Sequence, residues 1–280
     1  MDTRTITTRS GEIAYVDTAP EDHDGRVAVF VHGVGTNSHL WRNVIAGLRG
    51  ERRCVALDLP LHGATPPRAD YSLPALAAAV EDALDAIGLT GVDLVANDTG
   101  GAVAQVHAAN HPDRLRTLTL TNCDTHDNIP PESFKPTVEL AEQGQLAPLA
   151  VAAMADPEVA RGVLGIGYER PEDVSAETLR AYLEPVGGTE ERAREFEKVL
   201  VALRAEDLLA AEPGLRKLDV PTLIVWGDAD DFFETRWAYW LRDTIPGVTE
   251  VVEIPGAKLF FPDERAADLI PHLRRHWAAH

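Results

Sequence analysis

The stretch Val95-Ala96-Asn97-Asp98-Thr99-Gly100-Gly101 sets a carboxylate between an apolar strand-like run and a helix-like run. A side chain at a sharp turn from strand into helix is held above the end of a sheet, and small neighbours permit the turn. An aspartate held there can attack carbon to form an ester, or act as a base. The plainer alternative is an aspartate that caps the following helix. A second acidic turn is Trp226-Gly227-Asp228-Ala229-Asp230-Asp231-Phe232-Phe233. An acid there can orient a catalytic base. Asp230 fits best by its spacing from Gly227, Asp228 and Asp231 compete with it, and each of the three also suits a turn. The third turn is His32-Gly33-Val34-Gly35. Backbone N–H groups of Val34 and of Thr99 would form an oxyanion hole, with His32 bonded to the backbone beneath the loop.

Each of these turns must follow a strand, and the hydrophobic pattern supplies the strands. Val27–Val31, Arg53–Asp58, Val92–Ala96, Leu115–Thr121, Thr222–Trp226 and Thr249–Ile254 are short apolar or β-branched runs. The opening Thr5–Val16 reads as two strands around Ser10-Gly11. Helical patterns lie between the strands. Ser72 is an N-cap for a helix through Ile87, with Leu73, Leu76, Val80, Leu84 and Ile87 on one face. Further helices are expected near Leu40–Leu48, Gly100–His111 and Glu264–Trp277. Strands alternating with helices predict an α/β fold with a mostly parallel sheet covered on both faces. Ligands of such sheets bind at the carboxyl ends of the strands, where all three turns lie.

From about Thr125 to Gly214 the strand pattern stops. Helical stretches at Val138–Met154, Ala176–Leu183 and Glu190–Leu209 replace it, punctuated at Pro130-Pro131, Pro157, Pro171 and Gly187-Gly188. The expected organisation is a core of residues 1–124 and 215–280 with a helical cap inserted over 125–214.

The chain has 280 residues and a formal net charge of −19. Such a surface repels phosphate backbones and anionic membranes, so neither nucleic acid nor a membrane is an expected partner. The expected partner is a small-molecule substrate, and the reading leaves room for a homodimer. Cys54 and Cys123 sit in apolar strand runs and read as buried free thiols. The first residues lack an apolar leader and no run reaches membrane-spanning length, which makes the cytoplasm the expected location. No metal-ligand spacing and no phosphate loop stands in the sequence, so no metal or organic cofactor is expected.

With these motifs in this order, the chain resembles the α/β-hydrolase superfamily over nearly its whole length. It looks most similar to the aspartate-nucleophile branch of haloalkane dehalogenases and epoxide hydrolases. The resemblance is carried by His32-Gly33 with Leu40-Trp41-Arg42-Asn43, Leu57-Asp58-Leu59-Pro60-Leu61-His62-Gly63, the Asp98 turn, His111-Pro112-Asp113-Arg114 and Pro221-Thr222-Leu223-Ile224-Val225-Trp226-Gly227. It implies Asp98 as nucleophile, Asp230 as acid partner, and a histidine near the end of the chain. The matching position, in Pro255-Gly256-Ala257-Lys258-Leu259-Phe260-Phe261, holds Lys258. If the fold is right, the Lys258 ammonium lies near Asp98 and Asp230, where it either holds Asp98 as a carboxylate or makes a structural ion pair.

Other departures bear on the reaction. The halide donors of the dehalogenases correspond to Thr99 and Val34, and the expected cap contains no tryptophan, so dehalogenation loses support. Epoxide hydrolases protonate the opening ring with cap tyrosines; Tyr168 and Tyr182 would be those donors, or packed amphipathic side chains. A replacement base could come from Asp124 or His126, just beyond the strand ending at Thr121, although a histidine in an acidic loop is more often solvated. The leading expectation is hydrolysis of an epoxide or ester. The alternatives are a non-hydrolytic lyase, decarboxylase or isomerase, which needs no activated water, and a ligand-binding pseudoenzyme.

Overall fold

The computed structural model describes residues 2–18 and 25–280. Eight strands form one sheet: β1 Thr3–Thr8, β2 Gly11–Asp17, β3 Val27–Val31, β4 Arg53–Leu57, β5 Val92–Asp98, β6 Leu115–Cys123, β7 Thr222–Gly227 and β8 Val248–Ile254. Their spatial order is β1-β2-β4-β3-β5-β6-β7-β8. β1 pairs antiparallel with β2, and β2 with β4. From β4 to β8 every pairing is parallel. β3, β5 and β7 are buried along their whole length, as central strands in a sheet covered on both faces are, with Asp93, Asn97 and Asp98 of β5 buried among them.

The helices are α1 Arg42–Leu48, α2 Leu73–Ile87, α3 Thr99–Asn110, α4 Lys135–Glu142, α5 Leu146–Met154, α6 Pro157–Leu164, α7 Ala176–Gly187, α8 Glu190–Ala202, α9 Ala205–Leu215, α10 Arg236–Thr244, α11 Phe261–Glu264 and α12 Ala266–Ala279. The Ser72 hydroxyl accepts from the Ala75 N–H, as its N-cap position predicts. Cys54 and Cys123 are buried and free, also as expected. No helix among the described residues is long and apolar enough to cross a membrane.

The stretch between β6 and β7 contains helices and no strand, and its punctuation differs from the sequence pattern. One long helix was expected over Val138–Met154; Gly144, at φ +65°, separates α4 from α5. Pro157 was read as a break but begins α6, with Asp156 accepting from the Glu158 N–H as N-cap. Leu203 and Arg204 are extended and divide α8 from α9. α9 lies along α3, where a side chain at Gly214 would meet the Ala109 backbone oxygen and β-carbon.

Candidate active site

Asp98 ends β5 at φ 59° and ψ −137°, a conformation that costs an ordinary residue about 1–3 kcal/mol. Its side chain makes no capping hydrogen bond to α3, which separates it from the helix-cap alternative. Close packing enforces the turn. A β-carbon at Gly33 would collide with the Asp98 carboxylate, one at Gly100 with the backbone oxygens of His32 and Val31, and one at Gly101 with the Cys123 side chain. The carboxylate is thus pressed against the His32–Gly35 loop at the carboxyl end of the sheet.

That loop is braced by two buried neutral histidines. His32 Nδ1 bonds the Gly33 oxygen at 2.7 Å while its Nε2 accepts the Leu59 N–H at 2.9 Å, the backbone role expected of it. His62 bonds the Pro60 oxygen at 3.0 Å and accepts the Gly35 N–H at 3.3 Å. Burial pushes His32 down to about 4 and His62 to about 3, so neither carries charge at neutral pH. Val34 packs partly buried between the main core and a smaller cluster formed by Leu61, Tyr71, Val186 and Val199.

Three acids gather around the turn. Thr99 Oγ1 donates to Asp124 Oδ2 at 2.9 Å. Asp230 accepts from Asn122 Nδ2 at 2.7 Å and from the Phe232 N–H at 2.9 Å. Asn122 also bonds Gly227 through both ends of its amide, at 3.0 and 2.6 Å, so it fixes the loop that carries Asp230. Burial, then the charge of Asp124 and of Asp230, pushes Asp98 well above the usual carboxylate range, against the Thr99 backbone N–H that favours its ionised form. Burial likewise pushes Asp124 and Asp230 each up to about 7. Among the described residues none of the three makes an ion pair.

Lys258 does not join them, which corrects the expectation that its ammonium lies by Asp98 and Asp230. Its Nζ donates to Asp231 Oδ2 at 2.6 Å, and both side chains reach solvent, with 27% and 48% exposed. A long, strongly hydrated side chain loses less by pairing at the rim than by burying its ammonium. Its backbone neighbourhood does meet the turn: Asn97 Nδ2 donates to the Leu259 oxygen at 3.0 Å and to Thr121 Oγ1 at 3.0 Å. The residue before the nucleophile position therefore ties β5 and β6 to the loop that carries Lys258.

His126 is likewise diverted. It bonds Glu212 of α9 at 3.1 Å and stacks on Trp240 at 4.7 Å, so this imidazole is occupied by a carboxylate hydrogen-bond partner and a ring face. The two tyrosines expected as ring-protonating donors are committed elsewhere too. Tyr168 and Tyr182 donate their hydroxyls to Asp263 Oδ2 at 2.8 and 3.1 Å. Asp263 Oδ1 accepts Arg42 at 2.7 Å and Asn43 at 3.0 Å. These buried bonds join α1 and α11 to the stretch between β6 and β7. Sequence reasoning missed both Asn122 and Asp263; Asn122 had one usable signal, its place at a strand's carboxyl end, and Asp263 had none.

The described residues hold no group of three or more His, Cys, Asp or Glu that could bind a metal ion. The arrangement offers a strained, buried carboxylate at a helix start and two further carboxyls able to carry protons.

The alpha/beta hydrolase family model matches residues 28–271. A cis-3-alkyl-4-alkyloxetan-2-one decarboxylase of Xanthomonas campestris pv. campestris is 24% identical over 280 residues, covering 94% of this chain and 91% of that protein. Haloalkane dehalogenase 2 of Mycobacterium tuberculosis is 27% identical over 281 residues, covering 96% and 94%. An alpha/beta hydrolase fold protein from Burkholderia ambifaria has the same fold, with a TM-score of 0.83, 21% identity and 96% of each chain covered. With the parallel sheet, the strand-to-helix turn at Asp98 and a family match over most of its length, the chain belongs to the alpha/beta hydrolase family.

Proposed function

We propose that this is an enzyme in which Asp98 opens a small, neutral strained ring or ester-like electrophile, and that turnover finishes without an activated water. The observation that carries the proposal is the set of partners at the turn. Asp98 is surrounded by Asp124 and Asp230, while Lys258, at the position that the resemblance gives to the family's histidine, pairs with Asp231. A hydrolase needs a base to direct water at its ester intermediate. A reaction whose second half expels the aspartate needs none.

Decarboxylation of a β-lactone is such a reaction, and the similarity to an oxetanone decarboxylase over 94% of the chain supports it. An Asp98 oxygen attacks the saturated ring carbon bonded to the ring oxygen; the new C–O bond forms as that ring C–O bond breaks, leaving a β-acyloxy carboxylate. The bond from the carboxylate carbon to its α-carbon then breaks, its electron pair becomes the alkene, and Asp98 departs from the neighbouring carbon as a carboxylate. Alkene and carbon dioxide together contain every atom of the lactone, and no proton or water is consumed. The N–H groups of Val34 and Thr99 would hold the carboxylate oxygen that develops. Asp230, fixed by Asn122, shapes the loop beside the reacting carboxylate.

One observation favours a second reading, hydrolysis of an epoxide or ester: Asp124 and Asp230 stand near 7, a range suited to a carboxylate base. The two readings separate in ¹⁸O water. Wild type and Asp98→Asn are incubated with a cis-dialkyl β-lactone, an epoxide and an ester. Unlabelled alkene from the lactone in wild type alone supports decarboxylation. Labelled diol or acid supports hydrolysis. Saturable binding with no product from any compound assigns the chain to ligand binding and overturns both.

A further inference from the structure

α6 is apolar on two sides. Ala160 and Leu164 are buried, while Val159 and Val163 are 50% and 57% exposed. Ile166, three residues further on, is 44% exposed, so the outward stripe runs at the i, i+4, i+7 spacing of one helix face. α5 packs beside α6, carries no charged residue and leaves Leu149 55% exposed. Among the described residues these four are most of the exposed large hydrophobic side chains; the others are Leu209 and Tyr239. A helix that is apolar all round belongs in an interior, and a patch of this kind marks a contact surface.

Gly162 lies in the same stripe and is exposed. Its backbone is ordinary helix, and a β-carbon there would meet nothing within 4 Å. Neither conformation nor packing within the chain asks for glycine, which weakens a helix interior; close approach of another backbone does.

We propose that a second copy of this chain docks on this face. α6 crosses its counterpart about a two-fold axis at Gly162, and Val159 and Val163 of each copy fill the gap over the other's glycine. A two-fold contact needs knob and hole on one patch, and α6 carries both. Charge points the same way. The net charge of −19 drives copies apart. Residues 143–168 contribute only Asp156, Glu158 and Arg161 to it; Asp156 caps α6, and Glu158 pairs with Arg161 at 3.6 Å. Two copies can therefore meet here with little like charge opposed. A lipid surface fits less well, because helices that lie on membranes carry a lysine- and arginine-rich polar face. Arg161 is the one cation in this stretch, and it also bonds the Pro171 oxygen at 2.9 Å. Two such faces remove on the order of 1,000 Å² from water, the lower limit for a specific interface, which predicts a dimer that dissociates in the micromolar range.

Sedimentation equilibrium of wild type, Gly162→Leu and Val163→Glu tests this from about 1 to 100 μM, where such an interface dissociates. Wild type should pass from one chain to two, and the association should tighten as salt screens the net charge. Gly162→Leu is the discriminating variant. Leucine has open space in the single chain and better helix propensity, so its urea midpoint in dilute solution should match or exceed that of wild type. Its dimer dissociation constant should nevertheless rise about ten-fold or more, because the added side chain overpacks the crossing. Val163→Glu should remove the dimer. A Gly162→Leu protein that associates more tightly than wild type shows a patch that is only sticky, and overturns the inference. So do a wild type that stays a single chain at every concentration, a dimer that salt dissociates, a dimer that survives Val163→Glu, and a single chain that floats with phosphatidylcholine vesicles.

Discussion

The Lys258 ammonium lies 2.6 Å from the Asp231 carboxylate, an ion pair at the rim of the site and not a contact with Asp98 or Asp230. A partly exposed pair of this kind contributes about 0–1 kcal/mol, so Lys258→Met should unfold within about 1 kcal/mol of wild type in urea. Its turnover should also stay close to wild type; a collapse of kcat without loss of stability would show that the ammonium acts in the reaction. Lys258→His carries the complementary prediction. An imidazole there should add hydrolysis, read as ¹⁸O in the product of an ester substrate.

Gly33 and Asp98 meet too closely for any side chain at position 33. Gly33→Ala must push the strained turn or the His32–Gly35 loop aside, and overpacking of this kind costs about 1–3 kcal/mol. Activity should fall further than stability if, as proposed, the displaced carboxylate is the reacting group. Melting temperature and kcat/KM measured together check this, and a fully active Gly33→Ala would refute the geometry.

Asp230 should make the fold less stable as pH rises. Its carboxyl is raised from 3.8 to about 7 in the folded chain, with burial the leading cause. Below its unfolded value the group is protonated in both states and costs nothing. Between about pH 4 and pH 7 the unfolded chain ionises while the folded chain holds the proton, so stability falls, and above that the full penalty remains. Asp230→Asn should therefore gain on wild type across that window, by an amount on the order of 4 kcal/mol. Asp98 and Asp124 act in the same direction. Urea unfolding at a series of pH values measures the slope; parallel curves for the two proteins would contradict the assignment.

The Asp263 cluster predicts a division between stability and chemistry. Tyr168→Phe removes one hydrogen bond to Asp263 and should cost about 1 kcal/mol with little change in kcat. Asp263→Ala leaves Arg42 without its carboxylate partner and should cost about 3–5 kcal/mol. Limited proteolysis should then cut first in the helices between β6 and β7. A large loss of kcat in Tyr168→Phe at unchanged stability would restore the ring-protonating role expected from the resemblance.

Local pattern and turn chemistry were enough to find the frame. Apolar runs bounded by turn residues located all eight strands, Ser72 announced α2, and the small residues around Asp98 marked the turn that the close packing at Gly33, Gly100 and Gly101 enforces. Helix breaks within the inserted stretch were less legible. Proline reads as punctuation yet also starts helices, as Pro157 does, and the extended residues 203–204 carry no breaker.

Only the tertiary structure decided where the functional side chains go. Lys258 turned to Asp231, His126 to Glu212 and Trp240, and the two tyrosines to Asp263, because each found a partner supplied by a segment remote in sequence. Backbone conformation follows from neighbours along the chain, so the position of Asp98 could be read from seven consecutive residues. The destination of a long or polar side chain depends on competition among hydrogen-bond partners and on the cost of leaving water, and both are set by the packed fold. The proximity of Asp98 and Asp124 belongs to that second kind of information: 26 positions apart in sequence, they are brought together by the register of β5 on β6.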